Sequence, residues 1–207
     1  MGAVLEMMRS PGPFVGLIVV AVLLSACSAV PLAKAALSRV GGGVAPVVAK
    51  PAENSKKIMM TLVSKKIKFP IQSLATKGDV TLWASADGAQ VALRNGLLVS
   101  TRGFGMDLMS ADVPSVADLT DVNPNHNRQN TYLDGLDASD RRIYSCVVAP
   151  VAERTGPDTA YQVLETCDGA GGRIKNEYWI DSANSVVKSK QWVSAGVGYA
   201  IFDTADQ

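Results

Sequence analysis

The sequence predicts a mainly β fold with little helix: an antiparallel meander of hairpins forming a bent sheet, a sandwich or an incomplete barrel. Three observations point there. Val, Thr and Ser dominate many segments, and 18 Gly and 10 Pro punctuate them with turns. Asp87-Gly88 and Asn95-Gly96 are two-residue turn signals set between apolar runs. The segment "YSCVVAPVAERTGPDTAYQVLETCDG" folds back about Gly156-Pro157, which sets Cys146 directly opposite Cys167.

The N-terminal region has its own logic. The apolar run Phe14–Leu24 is about eleven residues long, whereas a helix that spans a bilayer needs roughly twenty. It fits the apolar region of a secretory signal peptide instead. Glu6 offsets Arg9 ahead of it, and a start at Met7 or Met8 in place of Met1 would leave a clean basic flank. The run closes on Leu24-Ser25-Ala26-Cys27. This resembles the lipobox of bacterial lipoproteins, whose cysteine receives a diacylglyceryl group and becomes the first residue after cleavage. The alternative is ordinary cleavage near Ala26 with Cys27 a bystander. Ser28, rather than an aspartate, follows the cysteine, which by the same resemblance implies sorting to the outer membrane, periplasmic face. Several palmitate-type acyl chains on one residue anchor a protein stably, where a single chain is marginal.

The chain divides into residues 1–26 as signal peptide, 27–55 as a lipidated flexible tether and 56–207 as a single mainly-β domain. The tether "SAVPLAKAALSRVGGGVAPVVAKPAENS" is rich in Ala, Gly, Pro and Ser and has no sustained period. In the meander "DVTLWASADGAQVALRNGLLVSTRG", two-residue turns at both signals would align Leu82, Leu93 and Leu98 on one face and Trp83, Ala92 and Val99 on the other. Residues 110–140 are polar, with Pro114, Pro124 and several Asn and Asp, and read as a long ordered loop or short helical turns. The Cys146–Cys167 hairpin follows. Opposed strand positions lie within disulfide reach, and an exported chain favours the bond over two free thiols. The last block carries a hairpin around Asp181–Ser185 and a final strand near Tyr199–Phe202.

Composition excludes several functions. The net charge is +1, so nothing draws nucleic acid. His126 is the one histidine; it sits in a Pro/Asn stretch that reads as a solvated loop, without a nucleophile elbow. A zinc site needs three or four N or S ligands, which this set does not supply, so no metal or cofactor is expected. Carboxylates are scattered, among them Asp134, Asp137, Asp140, Glu153, Glu165, Asp168, Glu177 and Asp181. A polysaccharide-modifying enzyme would need two of them paired in one cleft. The aromatics stand out more, because flat rings stack on the apolar faces of sugars. Trp83, Arg102, Tyr178, Trp179 and Trp192 form the candidate binding surface, and burial of the tryptophans in a β core is the competing assignment.

The same residues carry a family resemblance. "WASADGAQVALRNGLLVSTRGFGMDL" and "NEYWIDSANSVVKSKQWVS" resemble the two signature blocks of the YjbF/GfcB-like group 4 capsule and exopolysaccharide lipoproteins, and the lipobox matches that family's export route. The resemblance covers about residues 79–108 and 165–202; the cysteine pair is not part of it. It implies an outer-membrane lipoprotein, membrane-bound through its lipid, working beside polysaccharide export and secretion proteins and binding them or the polysaccharide. It carries over no catalytic residues, so a non-enzymatic accessory role is expected.

Cys27 gives the first test. A fatty-acid probe fed to the cells should label the wild-type chain and leave Cys27→Ala unlabelled. Label that persists in the variant would assign the lipid elsewhere.

Overall fold

The computed structural model describes residues 55–121, 125–133, 138–151 and 160–204. Cys27, the signal segment, the tether to residue 54 and the Gly156-Pro157 turn lie outside them.

Twelve antiparallel strands form one continuous sheet that curls into a nearly closed barrel. The first half comprises β1 (Lys57–Leu62), β2 (Ile67–Lys77), β3 (Val80–Ala84), β4 (Gln90–Arg94), β5 (Leu97–Arg102) and β6 (Leu108–Ala111). A single-turn helix, α1 (Val116–Thr120), leads into β7 (Asn125–Leu133), β8 (Ser139–Pro150), β9 (Tyr161–Gly169), β10 (Gly172–Ile180), β11 (Val186–Ser194) and β12 (Gly198–Asp203). The order is β5-β4-β3-β2-β1-β12-β11-β10-β9-β8-β7-β6, so the first and last strands pair with each other and β5 and β6 flank the seam. Side chains bridge that seam: the Leu108 amide donates to Thr101 Oγ1 (2.9 Å), whose hydroxyl donates to Asp107 Oδ1 (3.0 Å).

Alternation along the strands builds the core. In β1, Ile58, Met60 and Leu62 are buried and the residues between them are not. The same period puts Val163 on β9, Ile174, Tyr178 and Ile180 on β10, and Ala200 and Phe202 on β12 inside the barrel. Helix α1 is held by a capping box: the Asp118 amide donates to Ser115 Oγ and the Ser115 amide to Asp118 Oδ2.

Turn chemistry sets the meander register, and one expected register is corrected. Asn95 (φ 47°) and Gly96 (φ 89°) form the two-residue turn, with Arg94 opposite Leu97 and Leu93 opposite Leu98 as predicted. Gly96 is required on steric grounds too, because a Cβ there would stand 2.7 Å from the Val186 Cβ. The Asp87-Gly88 turn is three residues wide, not two. The Ser85 amide donates to the Ala89 carbonyl (2.9 Å), Asp87 accepts from the Ser85 hydroxyl, and Gly88 takes φ 90°. Leu82 therefore opposes Ala92, and Trp83 opposes Val91. A register shift between Ala92 and Leu93 also moves β5, so Ala92 faces Ser100 and not Val99.

The 110–140 stretch is corrected as well. It holds β6, α1 and the nine-residue strand β7, beyond the loop or helical turns expected. The Asp181–Ser185 hairpin and the final strand are where the sequence placed them, with Asp181 Oδ1 accepting from the amides of Ala183 (2.9 Å) and Ser185 (2.8 Å).

Cys146 pairs with Cys167 across β8 and β9, and the two are disulfide-bonded with Cα atoms 4.0 Å apart. The bond closes a loop with a sequence separation of 21. Replacing both cysteines with Ala should cost about 3 kcal/mol, read as a lower urea midpoint with the β-sheet circular dichroism retained. An unchanged midpoint would show that the cross-link constrains nothing.

Candidate functional site

The inward faces of β7, β9 and β10 meet in a buried polar cluster. Alternate residues His126, Arg128, Asn130 and Tyr132 of β7 point inward, opposite Cys146, Tyr144, Arg142 and Asp140 of β8. Glu165 of β9 lies among them, fully buried, with Asn176 and Tyr178 of β10 beside it at 0% exposure. Its carboxylate is matched on both oxygens. Oε1 meets His126 Nε2 at 2.7 Å and Arg128 Nε at 3.5 Å. Oε2 accepts from Asn176 Nδ2 at 2.6 Å and from the Tyr178 hydroxyl at 3.0 Å. The Asn176 Oδ1 then accepts the Trp192 amide at 2.8 Å, which ties β11 into the cluster.

Electrostatics follow from this geometry. Burial alone would raise the Glu165 pKa, but the Arg128 guanidinium, then the His126 and Asn176 hydrogen bonds, outweigh it and hold the group at about 2. Burial first, and the Glu165 charge second, push the Tyr178 phenol well above 10. The carboxylate is thus ionised and saturated at neutral pH, and the phenol is neutral. A group so held has no proton to give or take near pH 7. His126, Cys146 and Glu165 bring potential ligand atoms within 4.8 Å of one another. The Cys146 sulfur is already bonded to Cys167 and a guanidinium flanks the carboxylate, so the trio does not suit a cation.

A second inward residue, Gln191 of β11, crosses the barrel. Its Oε1 accepts the Leu98 amide (2.8 Å), and its Nε2 donates to the Gly96 carbonyl (2.8 Å) and to Ser189 Oγ (2.8 Å). It is completely buried and fastens the β4–β5 turn to the opposite wall.

The residues expected to form a binding surface are not brought together on one. Trp83 is a core residue at 8% exposure and Tyr178 is part of the Glu165 cluster at 0%, which corrects their place on an exposed face. Trp192 is half-buried: it meets Tyr199 edge-on with ring centres 5.1 Å apart and packs against Tyr144, Cys146, Cys167 and Ile174. Trp179 is also half-buried and lies under the Lys188 ammonium, 5.6 Å from the ring centre. Next to it Lys190 pairs with Glu177 (2.8 Å) and sits 5.4 Å from the Tyr199 ring centre. Arg102 is exposed at the end of β5, in a cleft with Gln90, Ser100 and Met109. His126 is on a strand with 19% of its side chain exposed, not in a solvated loop.

Sequence reasoning missed Arg128, Asn130 and Gln191. Asn125–Leu133 does alternate, but its inward residues are polar, so a hydrophobic pattern cannot find it. The signal for Gln191 was present in the block "KSKQW", where one uncharged polar residue sits between a lysine and a tryptophan.

A disulfide-stapled antiparallel barrel with the Glu165–Arg128 ion pair buried in its interior is the class defined by fold and site. The chain belongs to the YjbF family, described as group 4 capsule polysaccharide lipoprotein gfcB, YjbF, whose family model matches residues 26–203. The match begins one residue before Cys27. Among solved structures, the crystal structure of the hypothetical lipoprotein YmcC from Escherichia coli (K12) shares the fold, with a TM-score of 0.59, 16% identity, and coverage of 86% of this chain and 96% of that one. A search of curated proteins found no match.

The Glu165 cluster makes a signed prediction. Its pKa lies below the ordinary 4.5, so its stabilisation is complete above about pH 4.5 and is lost as the pH falls toward 2. Glu165→Gln should lose roughly 3–5 kcal/mol at pH 7, because Arg128 is left buried without its counter-charge, and the variant's unfolding midpoint should respond less to acid. Wild-type stability at pH 7 in the variant would remove Glu165 from its structural role.

Proposed function

We propose that this chain is an outer-membrane lipoprotein, anchored through Cys27 on the periplasmic face. It serves capsule or exopolysaccharide production or secretion as a non-enzymatic accessory factor that binds polysaccharide or export proteins. In this reading residues 1–26 are removed, 27–55 tether the lipid to the domain, and 56–207 do the binding. The observation that carries it is the family match over residues 26–203, beginning beside a cysteine in lipobox context. No helix among the described residues is long and apolar enough to cross a membrane.

The charge distribution favours binding over catalysis. A glycosidase-type mechanism needs two carboxyls facing one bond. Four clefts on the described residues hold one carboxylate each, Asp79, Asp107, Asp181 or Asp87, and a fifth holds none. Glu165 is the one carboxylate buried among the described residues, and all its partners are structural.

Deleting the gene should lower extracellular polysaccharide several-fold, and the wild-type gene should restore it. Cys27→Ala should restore little. Trp179→Ala should reduce output with a stability loss near the 0.5–1 kcal/mol of one exposed cation–π contact. Normal polysaccharide output from the deletion strain would overturn the proposal. A single acid-to-amide change that abolishes secretion with fold and export intact would replace it with the enzyme reading.

A further inference from the structure

The end of the barrel that carries the β4–β5 turn opens into a half-enclosed cleft of about 140 Å³ between β3–β4 and β11–β12. Trp83 lines it with the apolar side chains of Leu93 and Phe202. Trp83 is 8% exposed, and its buried Nε1 hydrogen has no acceptor within the protein. A buried donor without a partner is costly and rare in a native fold. In the same lining Asn95 offers a side-chain amide and Asp79 a carboxylate, while the Thr81 hydroxyl is hydrogen-bonded to Thr76 and the Ser189 hydroxyl to Gln191 and Gly96.

We propose that this cleft is a saccharide subsite that takes one neutral sugar unit of the polysaccharide; the assignment rests on the function proposed above and names the ligand-binding element within it. A pyranose has an apolar C–H face and a rim of hydroxyls. Leu93, Phe202 and the indole ring match the face. The Trp83 N–H matches a sugar oxygen, and Asn95 and Asp79 match hydroxyls at the mouth. Charge selects the sugar: Asp79 is the one charged residue in the lining, and it is already 3.5 Å from Arg94 Nε. No lining cation awaits a uronic carboxylate.

The cleft is also held open in advance. Gln191 grips the Gly96 carbonyl from the opposite wall, the Asn95 amide donates to the Asp79 carbonyl at 3.0 Å, and the Gly96 contact with Val186 fixes the rim. A preformed rim lowers the ordering cost of binding. The tryptophan of the first family-like block thus acts from the floor of a cleft and not from a flat outer face.

The test uses the full-length lipidated protein in detergent. It is titrated calorimetrically with neutral and uronic oligosaccharides of one to four units, released by partial hydrolysis from the polysaccharide the same strain secretes. Neutral fragments should bind one per chain, and at least tenfold more tightly than uronic ones. Trp83→Phe, which keeps a ring but removes the N–H, should weaken binding tenfold or more. Asn95→Gly preserves the turn and should weaken it several-fold, giving an answer even if Trp83→Phe does not fold. No fragment binding, a preference for uronic fragments, or unchanged affinity in Asn95→Gly and in a folded Trp83→Phe overturns the cleft assignment. Loss of binding in Trp179→Ala alone would also overturn it. These outcomes leave the accessory role standing if gene deletion still lowers polysaccharide output; normal output from the deletion strain overturns that role whatever the cleft binds.

Discussion

A carboxylate sealed inside a β-barrel has to be matched by donors from the surrounding walls, and Glu165 imposes that requirement on a third of the strands. Removing an ion from water costs several kcal/mol even after relaxation, so β7 must bring His126 and Arg128 and β10 must bring Asn176 and Tyr178. The Asn176 side chain, fixed by Glu165, then takes the Trp192 amide where β11 parts from β10. Four strands are therefore held in register by one charge. Hydrophobic contacts elsewhere in the barrel tolerate small shifts; this cluster does not, because each partner has a direction as well as a distance.

Gln191 extends the same principle to the other half of the barrel. The register shift in the β4–β5 ladder leaves the Leu98 amide turned inward, away from β4. One side-chain amide answers it and the Gly96 carbonyl together. The outcome is a barrel whose interior is partly apolar and partly a set of directed polar links, with the disulfide stapling β8 to β9 beside the ionic cluster.

This arrangement changes what the family-like blocks report. Asn176, Tyr178 and Gln191 lie in the second block, and all three face inward with saturated hydrogen bonds. Trp83, from the first block, is buried as well. The blocks describe an architecture: they hold the walls, close the turns and shape the mouth near Asn95. What the architecture leaves on the outside includes the barrel mouth near Asn95 and the outer face with Trp179, Lys188, Lys190 and Tyr199. The one buried acid among the described residues, Glu165, is held in its ionised form.

Much of this was legible in the sequence. Turn signals and alternation gave the β class, the Asn95-Gly96 register, the Asp181–Ser185 hairpin and the last strand, and the centre of one hairpin put Cys146 opposite Cys167. Each of these is local, set by backbone preferences within a few residues or by counting from a turn. Asp87-Gly88 shows where locality ends: the same dipeptide serves two- and three-residue loops, and the Ser85–Asp87–Ala89 hydrogen bonds choose between them, with a one-residue slip as the consequence for Leu82 and Trp83. Strand β7 could not be read at all, since His126 and Arg128 face inward for the sake of an acid 39 and 37 positions along the chain. Whether an aromatic is wall or surface, and whether a histidine is solvated or paired, depend on which strands curl past each other. Closure of the barrel decides that, because burial and pairing are properties of groups brought together across the fold and not of neighbours along the chain.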